Sequence, residues 1–305
     1  MSDKFTDGAA WQHGRVIPIE QATISVTDWG LTHADCVYDV VPVWRGGFFR
    51  LGDYLERFSA SVREARMEIG LSEKDIHKAL HHMVAKSGLK DAYVAMVAAR
   101  GTPMVPGIRD PRACKNHFYA WCVPYVHVVK PEVIEAGLEV WLSDTVRRIP
   151  EDSINPKVKN YHWGDFTQAL FEAKEHGYET ALLVDHDGNV TEGPGFNAFI
   201  LKGKEITTPD RGVLMGITRR TAIELAKEAG FAVTERTLST DELFEADEVF
   251  LTSSGGGIFP VTKINDRVFG NGRSGTVASA LREAYFKRLS EPAYRSEIKY
   301  SLDKG

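Results

Sequence analysis

The chain is poor in cysteine, with 3 in 305 residues, and Cys36, Cys114 and Cys122 form no Cys-x-x-Cys pair. An odd count without such a pair excludes a disulfide framework and a cysteine-rich zinc site, and leaves reduced thiols packed as small apolar groups. No apolar run approaches the roughly 18 residues that suggest a membrane span. The start, MSDKFTDGAAWQHGR, lacks the apolar stretch of a secretory leader, so a cytoplasmic location is expected. Positive charge is not in excess either: 37 bases stand against 42 acids, for a net charge of -5. With both signs well mixed there is no basic stripe for nucleic acid and no polybasic anchor for a membrane, and neither partner is expected. The Gly216-Ile217-Thr218 and Thr252-Ser253-Ser254-Gly255 turns follow neither GxGxxG nor GxxxxGK[ST], and HExxH and a nucleophile elbow are missing, which argues against dinucleotide, P-loop, zinc-protease and hydrolase chemistry.

What is present is a globular composition, 43% hydrophobic and 26% charged, without low-complexity tracts or repeats. At about 150 residues per domain the length favours two domains. Thr32 to Trp44 is rich in Val and Tyr, and Arg45-Gly46-Gly47 before Phe48-Phe49 predicts a hairpin turn. Leu51, Leu55, Phe58 and Val62 fall on one helical face, and Ser72 with Asp75 three residues on starts a second helix carrying Ile76, Leu80 and Met83. Strands over Tyr93 to Arg100 and His117 to Val126 complete an N-terminal α+β unit. The second half alternates: a strand over Leu138 to Val146, a polar loop to Lys159, a helix over Trp163 to His176 and a strand over Ala181 to Asp185. Hairpins at His186-Asp187-Gly188-Asn189 and Lys202-Gly203-Lys204 follow, then helices over Ile217 to Ala229 and Gly275 to Leu289. The division expected is a small α+β domain over 1–124, a linker over 125–133 and a larger domain over 134–305.

Three glycine-containing turns in the second half carry chemical potential: Glu192-Gly193-Pro194-Gly195-Phe196-Asn197, Gly216-Ile217-Thr218 and Thr252-Ser253-Ser254-Gly255-Gly256-Gly257. A Gly-Ile-Thr opening a helix presents free N–H groups and a hydroxyl at the positive end of the helix dipole, which suits a phosphate dianion. The Thr-Ser-Ser-Gly run leaves the apolar strand Val249-Phe250-Leu251 with a second set of donors. Taken separately, each turn is equally at home as a helix cap or a flexible turn.

With Lys159-Asn160, Thr191-Glu192-Gly193 with Asn197, Gly216-Ile217-Thr218-Arg219 and Thr252-Ser253 in this order and spacing, the chain resembles the fold-type IV (class IV) pyridoxal-phosphate aminotransferases. Arg57, in Asp53-Tyr54-Leu55-Glu56-Arg57, extends the resemblance to nearly the whole chain. It implies a two-domain α+β and α/β fold like that of D-amino-acid aminotransferase, the larger domain built on a mixed, barrel-like sheet with helices. It also implies pyridoxal 5'-phosphate as cofactor and a homodimer. Within the family, His33-Ala34-Asp35, Tyr38-Asp39-Val40-Val41, Val43-Trp44, Phe49-Arg50-Leu51, Val146-Arg147-Arg148, Val158-Lys159-Asn160 with Trp163-Gly164-Asp165, and Gly195-Phe196-Asn197 most resemble the (R)-selective amine transaminases. By this resemblance Lys159 is the Schiff-base lysine, Glu192 the partner of the pyridine nitrogen, and Arg57, Ile217, Thr218 and Ser253 the phosphate ligands. His33, Tyr38, Val40, Tyr93, Trp163, Thr252 and Ser254 would line the substrate pocket.

The chemistry independently asks for these residue types. A lysine amine, with an ordinary pKa of about 10.4, must lose water or sit near another cation before it attacks a carbonyl, and once released it can carry a proton. A carboxylate beside the pyridine nitrogen holds the ring protonated as an electron sink, and an arginine grips a phosphate through charge-assisted hydrogen bonds.

Other residues have plainer readings. His77, His81 and His82 share a helix without a third metal ligand, so a solvated face is expected. Tyr38 and Trp163 equally suit a core, and Arg147-Arg148 suits a loop or a dimer contact. Fungal amine transaminases carry a carboxylate-binding arginine where, without gaps, Pro106 stands here; Arg109, three residues later, would take its place if the loop 102–111 follows another path. Some also have an acid where Ala95 stands, which makes this pocket less polar. The expected reaction moves an amino group from an (R)-amine or D-amino acid to a 2-oxo acid such as pyruvate. Alternatives are a branched-chain L-amino-acid or D-amino-acid aminotransferase, an aminodeoxychorismate lyase, or a non-catalytic binder of a phosphorylated metabolite.

Overall fold

The computed structural model describes Phe5, residues 7–105 and residues 107–300. They divide into two compact units. The first holds residues up to 126, the short segment 158–161 and the chain from 289 on; the second holds 127–157 and 162–288. A linear division assigns both 158–161 and the C-terminal stretch to the second half. The structure differs because main-chain pairing draws them to the first unit's sheet.

That sheet is antiparallel. Its strands are β1 (Ala9–Gln12), β2 (Arg15–Pro18), β3 (Cys36–Trp44), β4 (Gly47–Phe49), β5 (Ala92–Pro103), β6 (Cys114–Pro124) and a C-terminal strand, Arg295–Glu297. In space they run Arg295–Glu297, β4, β3, β5, β6, β1, β2. The one-turn helix α1 (Trp29–Thr32) precedes β3 because the Asp28 carboxylate accepts from Gly30 N. The strand expected from Thr32 therefore begins at Cys36. Arg45 and Gly46 turn β3 into β4 with φ of 48° and 83°, as the Arg-Gly-Gly signal predicts.

Helix α2 (Leu51–Glu64) buries Leu51, Tyr54, Leu55, Phe58 and Val62, and α3 (Glu73–Ser87) buries Ile76, Leu80 and Met83. The Ser72/Asp75 capping box is present at the start of α3. His77 and His81 do not form a solvated face. Their rings stack at 4.4 Å and the His81 Nε2 meets Ser296 Oγ at 3.0 Å, because the C-terminal strand covers them. Burial, and then the neighbouring His77, push the His81 pKa down to about 4.

The second unit is built on a nine-stranded mixed sheet. Its elements are α4 (Pro131–Ala136), β7 (Leu138–Arg147), α5 (Gly164–Glu175), β8 (Thr180–Val184), β9 (Glu192–Gly193), β10 (Phe196–Lys202), β11 (Glu205–Thr208), α6 (Ile217–Glu228), β12 (Ala232–Glu235), α7 (Thr240–Phe244), β13 (Glu248–Ser253), β14 (Gly257–Ile264), β15 (Arg267–Val268) and α8 (Thr276–Arg288). The order is β12, β11, β10, β13, β14, β7, β8, with β9 on β10 and β15 on β14. Antiparallel pairs fill the centre, and β12, β7 and β8 join in parallel. Strands such as β8 are buried along their whole length, which is why they read as continuous apolar runs rather than alternating ones.

Helix α5 is tied to β7 by a buried carboxylate. Glu172 accepts from Trp141 Nε1, Ser143 Oγ, Asp144 N and Thr145 Oγ1. Burial alone raises its pKa; the hydrogen bonds outweigh burial and bring it down to about 2. A carboxylate with a depressed folded pKa adds stability that is complete above its unfolded pKa and is lost as pH falls through the folded one. Glu172→Gln is therefore expected to cost about 2 kcal/mol at pH 7, with the gap to the wild type closing between pH 4.5 and about 2. Urea denaturation at pH 7 and pH 3 measures it, and an equal gap at both would refute this account.

All three cysteines are free and buried. Burial, with Asp35 and Asp28 nearby, pushes the Cys36 thiol up to about 12, so it is a poor nucleophile. No helix among the described residues is long and apolar enough to cross a membrane.

Candidate active site

In the first unit the chemistry gathers at the start of β3. Since β4 pairs only with Val43 and Trp44, the edge of β3 near Val37 is open, and residues 158–161 fill it. Val37 bridges Asn160, Tyr38 N donates to the Lys159 carbonyl at 3.0 Å, and Lys159 N donates to Ser61 Oγ of α2 at 3.3 Å. The Lys159 main chain is thus held by a strand and a helix, and its Nζ lies 4.4 Å from the centre of the Tyr38 ring. Around it Cys36, Tyr38 and Val40 of β3 pack with Ala95 and Val97 of β5, flanked by Tyr93, Tyr119, Trp121 and Tyr161. Tyr161 stacks on Tyr38 at 3.9 Å, nearly parallel. Burial raises the Tyr93 and Tyr161 hydroxyls well above the ordinary phenol range, so they serve as neutral donors and acceptors.

The opposite face of β3 carries Asp39, which is 0% exposed. Its carboxylate takes two parallel hydrogen bonds from Arg57 of α2, at 2.8 and 2.7 Å. Burial lowers the Arg57 pKa, but the charge and hydrogen bonds of Asp39 more than reverse this and the net shift is upward.

In the second unit Glu192 stands on β9. Its Oε1 accepts from Arg148 and its Oε2 from Leu214 N at 2.9 Å and from Asn197 Nδ2 at 3.4 Å. Gly193 has no room for a side chain, since a Cβ would lie 2.4 Å from the Ala181 carbonyl. Asn197 of β10 pairs with Thr252 of β13. Gly216, before α6, sits so close to Asn197 that a Cβ would fall 2.4 Å from its Oδ1. No side chain caps α6, which leaves N–H groups of its first turn, beginning with Ile217 and Thr218, without intrahelical partners. The Thr218 and Thr252 hydroxyls are buried and have no hydrogen-bond partner among the described residues. Ser253 Oγ accepts from Gly255 N at 3.2 Å, so its proton is available to donate. Buried polar atoms are almost always paired, and this donor set suits a phosphorylated anion.

A family model described as amino-transferase class IV matches residues 36–264. The chain belongs to the class IV aminotransferases. Among relatives of this aminotransferase, a putative branched-chain-amino-acid aminotransferase of Methanocaldococcus jannaschii is 32% identical over 276 residues, covering 90% of this chain and 93% of its own. The branched-chain-amino-acid aminotransferase of Pseudomonas aeruginosa is 30% identical over 295 residues, 95% of each chain. A T.th. branched-chain amino acid aminotransferase, solved with pyridoxamine 5'-phosphate, superposes with a TM-score of 0.89 at 27% identity, covering 96% of this chain and 99% of its own.

The enzyme uses pyridoxal phosphate, and its residues fit that group: the unpartnered Thr218 and Thr252 hydroxyls and the uncapped start of α6 are donors for a phosphate, and Glu192 is a fixed carboxylate. Of the residues singled out from sequence, Tyr38, Val40, Tyr93 and Lys159 gather in the first unit. In the second, Glu192, Ile217, Thr218, Thr252 and Ser253 are buried, and Trp163 packs edge-on to Phe166. His33 is exposed and stacks on Trp29 at 4.5 Å, outside the Tyr38 cluster. Arg109 is exposed, and Pro106 lies outside the described residues.

Three residues escaped the linear reading. Asp39 had a signal: an acid inside an otherwise apolar strand demands a buried partner. Ser61 had none, because a serine on a helix looks solvated. Arg148, expected in a loop or a dimer contact, is 7% exposed and bonded to Asp165 and Glu192; its neighbour Arg147 turns to the carbonyls of Asp144 and Val146.

Proposed function

We propose that this aminotransferase moves the amino group of a branched-chain L-amino acid to a 2-oxo acid. The observation that carries the reading is that relatives 30% and 32% identical over at least 90% of the chain bear that name. The partly buried rings of Tyr93, Tyr119, Trp121 and Tyr161, packed on the cluster that holds Tyr38, support it, because an aliphatic side chain gains by leaving water against such surface. Lys159 would supply the amine that holds the cofactor and the base that carries a proton to and from the substrate's α carbon. Glu192 holds the pyridine nitrogen protonated. Arg57, Ile217, Thr218 and Ser253 bind the phosphate. When bound, pyridoxal phosphate supplies an electrophilic carbon and a ring that accepts the electron pair of the broken C–H bond. The enzyme in this reading is a cytoplasmic homodimer, which light scattering would register as the mass of two chains.

A second reading, an (R)-amine or D-amino acid as donor and pyruvate as acceptor, is favoured by the run from His33 through Tyr38-Asp39-Val40-Val41 to Trp44, which resembles the (R)-selective amine transaminases. Tyr38, Val40, Tyr93, Trp163 and Ser254 would contact the substrate in either case, with Thr252 placed between it and the phosphate and Arg109 as the candidate for its carboxylate. The exposed position of His33 on Trp29 does not support a substrate contact for it. Assays of L-leucine, D-alanine and (R)- and (S)-1-phenylethylamine against pyruvate and 2-oxoglutarate separate the two. L-Leucine is expected to turn over at least about tenfold faster than the others, the discrimination one apolar pocket provides. Rapid turnover of the (R)-amine with inert L-leucine would select the second reading.

A further inference from the structure

Arg148 is sandwiched between two carboxylates in the second unit. One Nη donates to Asp165 Oδ2 at 2.6 Å, while Nε and the other Nη donate to Glu192 Oε1 at 3.3 and 3.1 Å. The three side chains are 8%, 5% and 7% exposed. The Arg148 guanidinium also lies 4.3 Å from the centre of the Phe166 ring. Asp165 is held in turn, accepting from Ile149 N at 3.0 Å through Oδ2 and from Phe166 N at 2.8 Å through Oδ1. It stands in the first turn of α5, where the helix dipole favours an acid. The ionisable groups bonded to Arg148 are thus Asp165 from α5 and Glu192 from β9, and β8 contributes the Val184 carbonyl to the Arg148 main chain.

We propose that Arg148 and Asp165 are positioning residues that set the charge Glu192 presents to the pyridine nitrogen, Arg148 attenuating it and Asp165 restoring part of it. This rests on the reading that Glu192 faces that nitrogen. The three side chains together carry a single net negative charge in a dry setting, where charge is expensive unless compensated. A protonated ring nitrogen is a compensating cation. Leu214 N and Asn197 Nδ2 hold Glu192 Oε2 whatever stands at position 148, so changing the charge behind Glu192 alters its field while the side chain stays anchored through that oxygen. Two opposite charges in series give substitutions of opposite sign, which loss of packing alone does not.

The test uses holoenzyme and reads the pH at which the visible absorption band of the bound cofactor shifts. Removing a nearby cation favours proton retention on the cofactor, and removing a nearby anion disfavours it. Arg148→Gln is expected to raise the midpoint by about half a unit or more and Asp165→Asn to lower it by a similar amount. Arg148→Lys, which keeps the charge, stays near the wild type. Glu192→Gln lowers the midpoint and serves as the control on the underlying reading. If Glu192→Gln shifts the midpoint while Arg148→Gln and Asp165→Asn do not, or shift it in the same direction, the proposal is overturned and the Glu192 assignment survives. If Glu192→Gln leaves the midpoint unchanged, the assignment falls and the proposal with it. Should Arg148→Gln fail to fold, the sign of the Asp165→Asn shift decides.

Discussion

Lys159→Ala is expected to lower kcat/KM for amino transfer by at least about 10³-fold, because in the proposed mechanism it removes both the amine that engages the cofactor and the proton carrier. The loss should come without collapse of the fold. The contacts that seat residue 159 run through its main chain, to Tyr38 N and Ser61 Oγ, and alanine keeps them. In the cofactor-free chain the variant gives up the contact of the Lys159 amine with the Tyr38 ring, of the kind worth about 0.5 to 1 kcal/mol, so the melting temperature of the cofactor-free protein should move by only a few degrees. Borohydride reduction followed by peptide mass analysis provides a readout independent of turnover. The wild type should carry a pyridoxyl mark on the Lys159 peptide and the variant none. An unmarked Lys159 peptide in active wild-type enzyme would take the covalent role away from Lys159 and remove the basis of the proposed mechanism.

Arg57→Ala is expected to act on both folding and cofactor retention. Asp39 is 0% exposed and receives two hydrogen bonds from Arg57, so deleting the guanidinium strands a buried carboxylate, at a cost of about 3 kcal/mol. Cofactor affinity should also fall about 10- to 100-fold, since a charge-assisted hydrogen bond is worth about 1.5 to 3 kcal/mol. A double-mutant cycle with Asp39→Asn separates the effects. In the Asp39→Asn background the stability penalty of Arg57→Ala should shrink to less than about half, because no buried charge is left behind, while the loss of cofactor affinity should persist. Equal cofactor affinity with and without Arg57 in that background would make the arginine purely structural.

The linear sequence was most informative where local chemistry dominates. The apolar spacing of α2 and the Ser72/Asp75 box of α3 are decided within one or two turns of chain, and Arg45-Gly46 carries its own hairpin signal. The N-terminal hairpin of β1 and β2 was missed although its turn, His13-Gly14, has φ of 51° and 78°. A histidine seldom marks such a turn, and a four-residue strand gives too little alternation to detect. The strand Arg295–Glu297 was missed for a different reason: it exists only because β4 offers it an edge.

Residue types and their order along the chain were enough to determine the family and the cofactor, because the resemblance rests on a lysine, a carboxylate and phosphate donors at set spacings, which few sequences supply. Tertiary structure alone decided which neighbours those residues keep. That Lys159 is laced to β3 and α2, that Asp39 faces Arg57, and that Arg148 stands between Asp165 and Glu192 follow from contacts between segments 17 to more than 100 residues apart. The physical reason is that a charge buried by packing must find its partner in three dimensions, and local sequence preferences carry no record of where that partner will be.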